Sequence, residues 1–393
     1  MKPRISESEF LERKHKVQGF MEDQGLDLVV MYADDRYVYG QAFARWMVDY
    51  QPQFEAAFVL VPRKGEIAIV TGAESVEFAL CTSRCKNVYA IYEFLHPDED
   101  YPYCETRDFR EVLKLLEEQS DISIANIGVA GRSFIPYYLF KRLLELFGND
   151  HVNDVDEEIS MLRAVKSKDE IEVIRYAYKI ADHGMDTVYN NLREGISERA
   201  LAAEAEYAMR KMGSEGLGIE LMINSGPVNT SPILSRTTFR ELQAGDLVVA
   251  TLAPRYEGYH GAIGRPFGLG KLPDEMKRYI ELVMFAQAET VKRLGPGITG
   301  KEMDVISREH MNRAGFARNF AYSGIHSVGV IEFEAPILSS KSEVVLQPNM
   351  VFSVDIPLFL NDWGGMRYES GFLITEAGCE PLSQWSENYM KQL

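Results

Sequence analysis

The sequence predicts an α/β amino-terminal domain followed by an α+β carboxy-terminal domain. Three observations predict this division. The chain has 393 residues, more than one ordinary hydrophobic core holds. Up to about residue 150, short apolar runs alternate with helix-period segments, the pattern of a mixed sheet carrying helices. Beyond the polar, acidic stretch GNDHVNDVDEE (148–158), amphipathic helices and paired strand-like runs take over. The domains are therefore placed at 1–155 and 156–393.

In chain order, residues 7–25 set Phe10, Leu11, Val17, Phe20 and Met21 at near-helical spacing, and Gly25 is the helix stop. Leu26–Tyr32, Ala56–Val61 and Glu66–Val70 read as strands. The last two flank the turn signal Pro62-Arg63-Lys64-Gly65 and so form a hairpin. Helical periodicity covers 107–119 and 136–147, with a strand in Ile122–Val129 between them. Ser167 and Glu170 form a capping box: the serine oxygen accepts an orphan amide and the glutamate reaches back. The helix they open carries Ile171, Ile174, Ala177, Ile180 and Ala181 on one face. Further helices are predicted at about 197–212, 273–294 and 299–314.

Composition excludes several functions. Acidic residues outnumber basic ones, 59 to 42, for a formal charge of −17. A nucleic-acid binder needs the opposite balance, because it must displace counterions from phosphates. An anionic membrane surface is repelled for the same reason. No run approaches the roughly 18 apolar residues of a membrane-spanning helix, and the charged amino terminus lacks a signal peptide's apolar core. Cys81, Cys85, Cys104 and Cys379 fit neither a zinc ribbon nor a disulfide framework and point to a reducing compartment. A cytoplasmic protein is expected.

The chemistry lies after residue 220. Residues 245–270 form two strand-like runs around Arg255-Tyr256-Glu257-Gly258. Symmetry about that turn sets Thr251 opposite Ala262. A second hairpin at 351–375 turns near Asn361-Asp362-Trp363 and sets Asp355 opposite Glu369. The apolar flanks Val351, Phe352, Val354 and Ile356 make that strand buried. Two facing carboxylates in a buried sheet need a shared proton, a cation or a metal. Between the hairpins, His326 sits in a glycine-bracketed loop, a candidate general base or metal ligand. Glu334 supplies another carboxylate.

The motifs Gly245-Asp246-x-Val248, Gly258-Tyr259-x-x-x-Ile263-x-Arg265-x-Phe267, His326-Ser327-x-Gly329, Glu334-x-Pro336, Asn349–Pro357 and Gly364-Gly365-x-Arg367-x-Glu369 resemble the pita-bread family of creatinase, prolidase, aminopeptidase P and methionine aminopeptidase. The resemblance spans the whole chain and implies the creatinase-like two-domain architecture, with a pita-bread carboxy-terminal domain and a homodimer. The family's metallopeptidases hold two metal ions with two Asp, one His and two Glu. Motif by motif, those places hold Thr251, Ala262, His326, Asp355 and Glu369. Alanine cannot ligate and a threonine hydroxyl is a poor donor for a divalent cation. Ile233 and Phe333 stand where the family's peptidases carry substrate-side histidines. Creatinase has likewise lost both Asp ligands and shares the H-S-x-G loop. It uses a His at the place of Ile233, which argues against creatine itself as the substrate.

The expected function is therefore a metal-independent, creatinase-like enzyme. It would cleave a C–N bond in a small amino-acid-derived molecule through His326, Asp355 and Glu369, with no cofactor. Arg45, Trp46, Tyr259, Arg265, Glu334 and Arg367 are the substrate-binding candidates. In family dimers the segment holding Arg45 and Trp46 reaches the neighbouring pocket. Two alternatives stay open. One is a mononuclear-metal Xaa-Pro dipeptidase-like hydrolase or lyase, its ion on His326, Asp355 and Glu369. The other is a catalytically inactive pita-bread binding protein.

Overall fold

The computed structural model describes residues 2–36 and 38–385. The chain divides into one compact unit of Ile5–Leu162 and another of Arg163–Leu393 with Met1–Arg4. No described helix is long and apolar enough to cross a membrane.

In the amino-terminal unit, α1 (Glu7–Gln24) ends at Gly25, whose φ of 66° is the left-handed cap that glycine adopts without strain. A mixed sheet follows: β1 (Leu28–Ala33), β2 (Ala57–Pro62), β3 (Ala68–Thr71), β4 (Asn87–Ile91), β5 (Thr106–Arg107), β6 (Ile127–Ala130) and β7 (Val152–Asp154). Their spatial order is β5-β4-β3-β2-β1-β6-β7. The hairpin expected around Pro62–Gly65 is the antiparallel β2–β3 pair. The strands from β1 to β3 are buried throughout, as continuous apolar runs require when both faces are covered. Helices α2 (Ala42–Val48), α3 (Val76–Thr82), α4 (Phe109–Ser120), α5 (Tyr137–Phe147) and α6 (Asp156–Leu162) complete the unit. Phe58, Phe94, Phe109 and Leu116 pack in its core.

The carboxy-terminal unit opens with α7 (Lys168–Asn191), where both bonds of the Ser167–Glu170 capping box form. Then come α8 (Glu198–Met212), β8 (Gly216–Leu217), β9 (Met222–Ser225), α9 (Gly226–Thr230), β10 (Leu247–Leu252), β11 (Pro254–Tyr256), β12 (Tyr259–His260) and β13 (Ile263–Gly268). Helices α10 (Asp274–Val291) and α11 (Gly300–Arg313) lead to β14 (Ile325–Ser327), β15 (Glu334–Leu338), β16 (Val351–Asn361), β17 (Gly364–Thr375) and β18 (Gly378–Pro381). The main sheet runs β15-β14-β16-β17-β13-β10-β9, with β18 added to β17. Every pairing in it is antiparallel. From α10, the buried Gln287 amide donates to the carbonyls of Val354 (2.7 Å) and Tyr368 (3.2 Å) and so ties β16 to β17.

The registers place the site. Asp355 pairs with Glu369, as the hairpin symmetry predicts. The loop itself is Asp362-Trp363, and a bulge between Leu358 and Asn361, with Leu360 at φ 61°, restores the symmetric register. The first hairpin differs from expectation by one residue. Its loop is Glu257-Gly258, with both φ values positive (48° and 81°), the two-residue turn whose twist suits paired strands. Thr251 therefore faces Gly264, not Ala262. His326 also differs: it lies on the short strand β14, paired with Ser353, rather than in a loop.

Candidate active site

Partners directly opposed across an antiparallel sheet share a face. One row across the main sheet therefore reads Met222, Thr251, Gly264, Glu369, Asp355. The adjacent row on that face reads His326, Ser353, Gly371. His326, Asp355 and Glu369, scattered over 44 residue numbers in sequence, are thus delivered to one patch by three adjoining strands. All three are buried.

His326 is 2% exposed. Its Nδ1 lies 3.1 Å from the Ser327 carbonyl, which fixes the proton on Nδ1 and leaves a lone pair on Nε2. Nε2 is 3.8 Å from Glu369 Oε1. The ring rests against Phe333, with centroids 4.2 Å apart. Burial pushes its pKa down to about 4, so the imidazole is neutral near pH 7 and ready to ligate. Glu369 Oε1 accepts from Ser353 Oγ at 2.8 Å. Asp355 Oδ2 accepts from the Tyr322 hydroxyl and lies 3.8 Å from Arg367 Nη1. The remaining oxygens, Glu369 Oε2 and Asp355 Oδ1, make no hydrogen bond to any described group.

The structure adds a carboxylate that the motifs do not announce. Glu332 lies between β14 and β15, and one of its oxygens, with His326 and Glu369 ligand atoms, falls in a cluster within 4.8 Å. Burial and the Glu369 charge raise the Glu332 pKa to about 8. Burial, opposed by Arg367 and joined by the Glu369 charge, raises Asp355 to about 6. Glu369 is raised as well, chiefly by burial. Burial and mutual repulsion disfavour charge on all three carboxylates, a cost that a proton or a bound cation would relieve.

His326, Glu332 and Glu369 are placed so that they could together hold a divalent cation. One imidazole and two carboxylates, with unsatisfied oxygens on Glu369 and Asp355, make a borderline-hard donor set open to further ligands. Toward Thr251 and Gly264 the row offers no carboxylate.

The other sequence candidates fall in different places. Arg367 Nη2 donates to the Ile233 carbonyl at 3.1 Å, and its guanidinium lies 5.3 Å from the Phe359 ring centroid, at the edge of the acid patch. Arg265 sits on the opposite face of the sheet. It donates to the Gly264 carbonyl at 2.7 Å and to Ser370 Oγ at 2.8 Å, and it stacks over Tyr368. Glu334 is buried 2.6 Å from Lys166 Nζ and 3.6 Å from Arg163 Nη2. Tyr259 donates to Glu170 Oε1 at 2.6 Å, bracing the start of α7. In the amino-terminal unit, Arg45 pairs with Asp49 at 3.1 Å, and Trp46 is buried beneath Arg13. Sequence reasoning missed Glu332, because the irregular stretch 328–333 has no period to read.

Comparison with known proteins follows this geometry. Residues 172–376 match "Metallopeptidase family M24", and residues 13–165 match "Creatinase/Prolidase N-terminal domain". An uncharacterised peptidase of Bacillus subtilis is 34% identical over 229 residues, 58% of this chain. That match spans 65% of the relative, just under two thirds of its length. Xaa-Pro dipeptidases of Pyrococcus horikoshii and Pyrococcus furiosus are 29% and 30% identical, over 83% and 75% of this chain and 92% and 82% of theirs. The solved prolidase of P. horikoshii superposes with a TM-score of 0.80 at 26% identity, covering 95% of this chain and 98% of that one.

These findings overturn the expectation of metal-independent, creatinase-like chemistry and, with it, the expectation of no cofactor. The matching family is one of metallopeptidases, its named relatives here are Xaa-Pro dipeptidases, and a metal-competent cluster is present. The findings favour the alternative of an Xaa-Pro dipeptidase-like hydrolase: the loss of carboxylates at Thr251 and Ala262 was given too much weight against the acids and histidine that remain, which Glu332 joins from a different segment. The two-domain architecture stands, and the chain belongs to metallopeptidase family M24, with a creatinase/prolidase amino-terminal domain ahead of its pita-bread domain.

Proposed function

We propose that this protein is a metal-dependent hydrolase of short peptides, of the Xaa-Pro dipeptidase kind, working with a single divalent cation. The observation that carries this reading is the His326–Glu332–Glu369 cluster in a chain whose relatives include Xaa-Pro dipeptidases. His326 Nε2, Glu332 and Glu369 would hold the ion, with Asp355 beside them. A cation so held supplies Lewis acidity and makes water a better nucleophile near neutral pH.

The chain's own groups do the rest. The Ser327 carbonyl keeps the His326 proton on Nδ1. Tyr322 fixes Asp355 through Oδ2 and leaves Oδ1 free to take a proton. Arg367, close to that carboxylate, favours its charged form. In the reaction, water oxygen bonds to the peptide carbonyl carbon and the C–N bond breaks. The proton taken by Asp355 Oδ1 passes to the departing nitrogen. Phe333, packed on the His326 ring, presents apolar surface where the family's peptidases place a histidine, which suits a pyrrolidine ring better than a charged side chain.

The test is turnover of a panel of Xaa-Pro dipeptides. The expected outcome is hydrolysis by Mn2+-loaded protein, lost on chelation and recovered when Mn2+ is returned. Hydrolysis that survives full removal of metal, or none with any divalent ion, contradicts the reading.

A further inference from the structure

The site face carries a buried phenol that the chemistry above does not use. Tyr178, on α7, is fully buried. Its oxygen lies where a side chain on Gly371 would be: a Cβ added there would meet it at 2.0 Å. Gly371 is in the row with Ser353 and His326 and two residues along β17 from Glu369. The absent side chain is thus what admits the phenol to the site. Nearby, α7 rides directly on Gly261, where an added Cβ would meet the Tyr178 amide at 2.6 Å. The hydroxyl is close to the Ala262 backbone but makes no hydrogen bond of normal geometry with it or with any described group.

The Ala262 backbone can serve its oxygen, but a buried hydroxyl proton with no acceptor is rare, and a bound guest or water would take it. A filler would serve as well as phenylalanine. Two other hydroxyls of the patch are committed, Ser353 to Glu369 and Tyr322 to Asp355, and Thr251 lies farther along the row, beyond Gly264 from Glu369. His326 Nε2 has no proton to give, and the carboxylates are acceptors. Arg367 already donates to the Ile233 carbonyl and lies by Asp355.

We propose that the Tyr178 hydroxyl is a substrate-binding group, a neutral donor that hydrogen-bonds the scissile carbonyl oxygen as that oxygen gains charge. It stands on the side of the site where Ala262 leaves no ligand, and supplies there part of the stabilisation a second cation would give. The phenol keeps its proton throughout, so no bond to oxygen is made or broken at Tyr178. The inference rests on the peptide-hydrolase reading.

The test compares wild type with Tyr178→Phe, which keeps the ring and removes the oxygen. The probe is a phosphinic dipeptide analogue, whose P–O group mimics the tetrahedral oxyanion, titrated calorimetrically into Mn2+-loaded protein. The variant should bind the analogue about 100-fold more weakly, the usual loss for one oxyanion donor. Mn2+ affinity and thermal midpoint should not move, and kcat should fall by a similar factor at unchanged KM. Equal binding by both proteins overturns the proposal, as does a parallel loss of Mn2+ affinity. Dipeptide turnover by wild type is read separately. Turnover with a wild-type-like variant removes the tyrosine's role alone; no turnover and no analogue binding by wild type removes both readings.

Discussion

His326→Ala removes cation binding and turnover together. The imidazole is the one nitrogen ligand of the cluster, and its Nε2 is held toward Glu369 by the Nδ1 contact to Ser327. Loss of a group that only orients a ligand costs about 10- to 100-fold in metal affinity. Loss of the ligand itself should therefore cost at least about 100-fold, near 3 kcal/mol. Turnover should fall roughly 1,000-fold or more, because Lewis acidity and the activated water go with the ion. Calorimetric Mn2+ titration beside steady-state kinetics checks both. His326→Gln, which fills the space without an imidazole, should behave alike. A variant that binds Mn2+ as wild type does would remove His326 from the site.

Glu198→Ala has the largest expected effect on stability. Glu198 is 0% exposed and opens α8, where the helix dipole favours an anion. Its Oε1 accepts from the Ser225 amide (2.7 Å), Ser225 Oγ (2.6 Å) and Asn229 Nδ2 (3.0 Å). Its Oε2 accepts from the Thr238 amide (2.9 Å) and Oγ1 (2.7 Å). One carboxylate thus pins β9, α9 and the segment after them, and α9 in turn supports the β16–β17 turn through Thr230 Oγ1 and the Gly365 amide. Alanine leaves several buried donors unpaired, each costing about 1–3 kcal/mol. With relaxation, a loss of roughly 3–5 kcal/mol is expected, as for other broken buried charge networks. Urea unfolding of the metal-loaded protein, followed by the transition of the carboxy-terminal unit, measures it. A loss below about 1 kcal/mol would show that the network contributes little.

Local signals were legible where one residue type admits one geometry. Gly25 ends its helix, and Ser167 with Glu170 start theirs. The Asp355–Glu369 pairing is legible because strand period and turn position agree once the bulge compensates the loop. The Thr251 register is not, because nothing in Arg255–Gly258 separates a two-residue loop at Glu257-Gly258 from one centred a residue earlier; the positive φ values decide it. His326 reads as a loop residue because glycines bracket it, yet a strand as short as Ile325–Ser327 fits between Gly324 and Gly329. Glu332 and Tyr178 reach the site through tertiary packing alone. One comes from an irregular connection, the other from a helix distant in sequence, and no spacing rule relates either to His326.

The same packing explains why the absence of two ligands misled the reading of function. Thr251 and Ala262 carry no carboxylate, but Glu332 adds to the acids and histidine that remain, in a cluster that could hold an ion. Calorimetric Mn2+ titration, with metal content measured on the same sample, tests this most directly. The account gives one Mn2+ per chain, weakened at least about 10-fold by Glu332→Gln. Two ions per chain, or fewer than about 0.1 after loading, would contradict it.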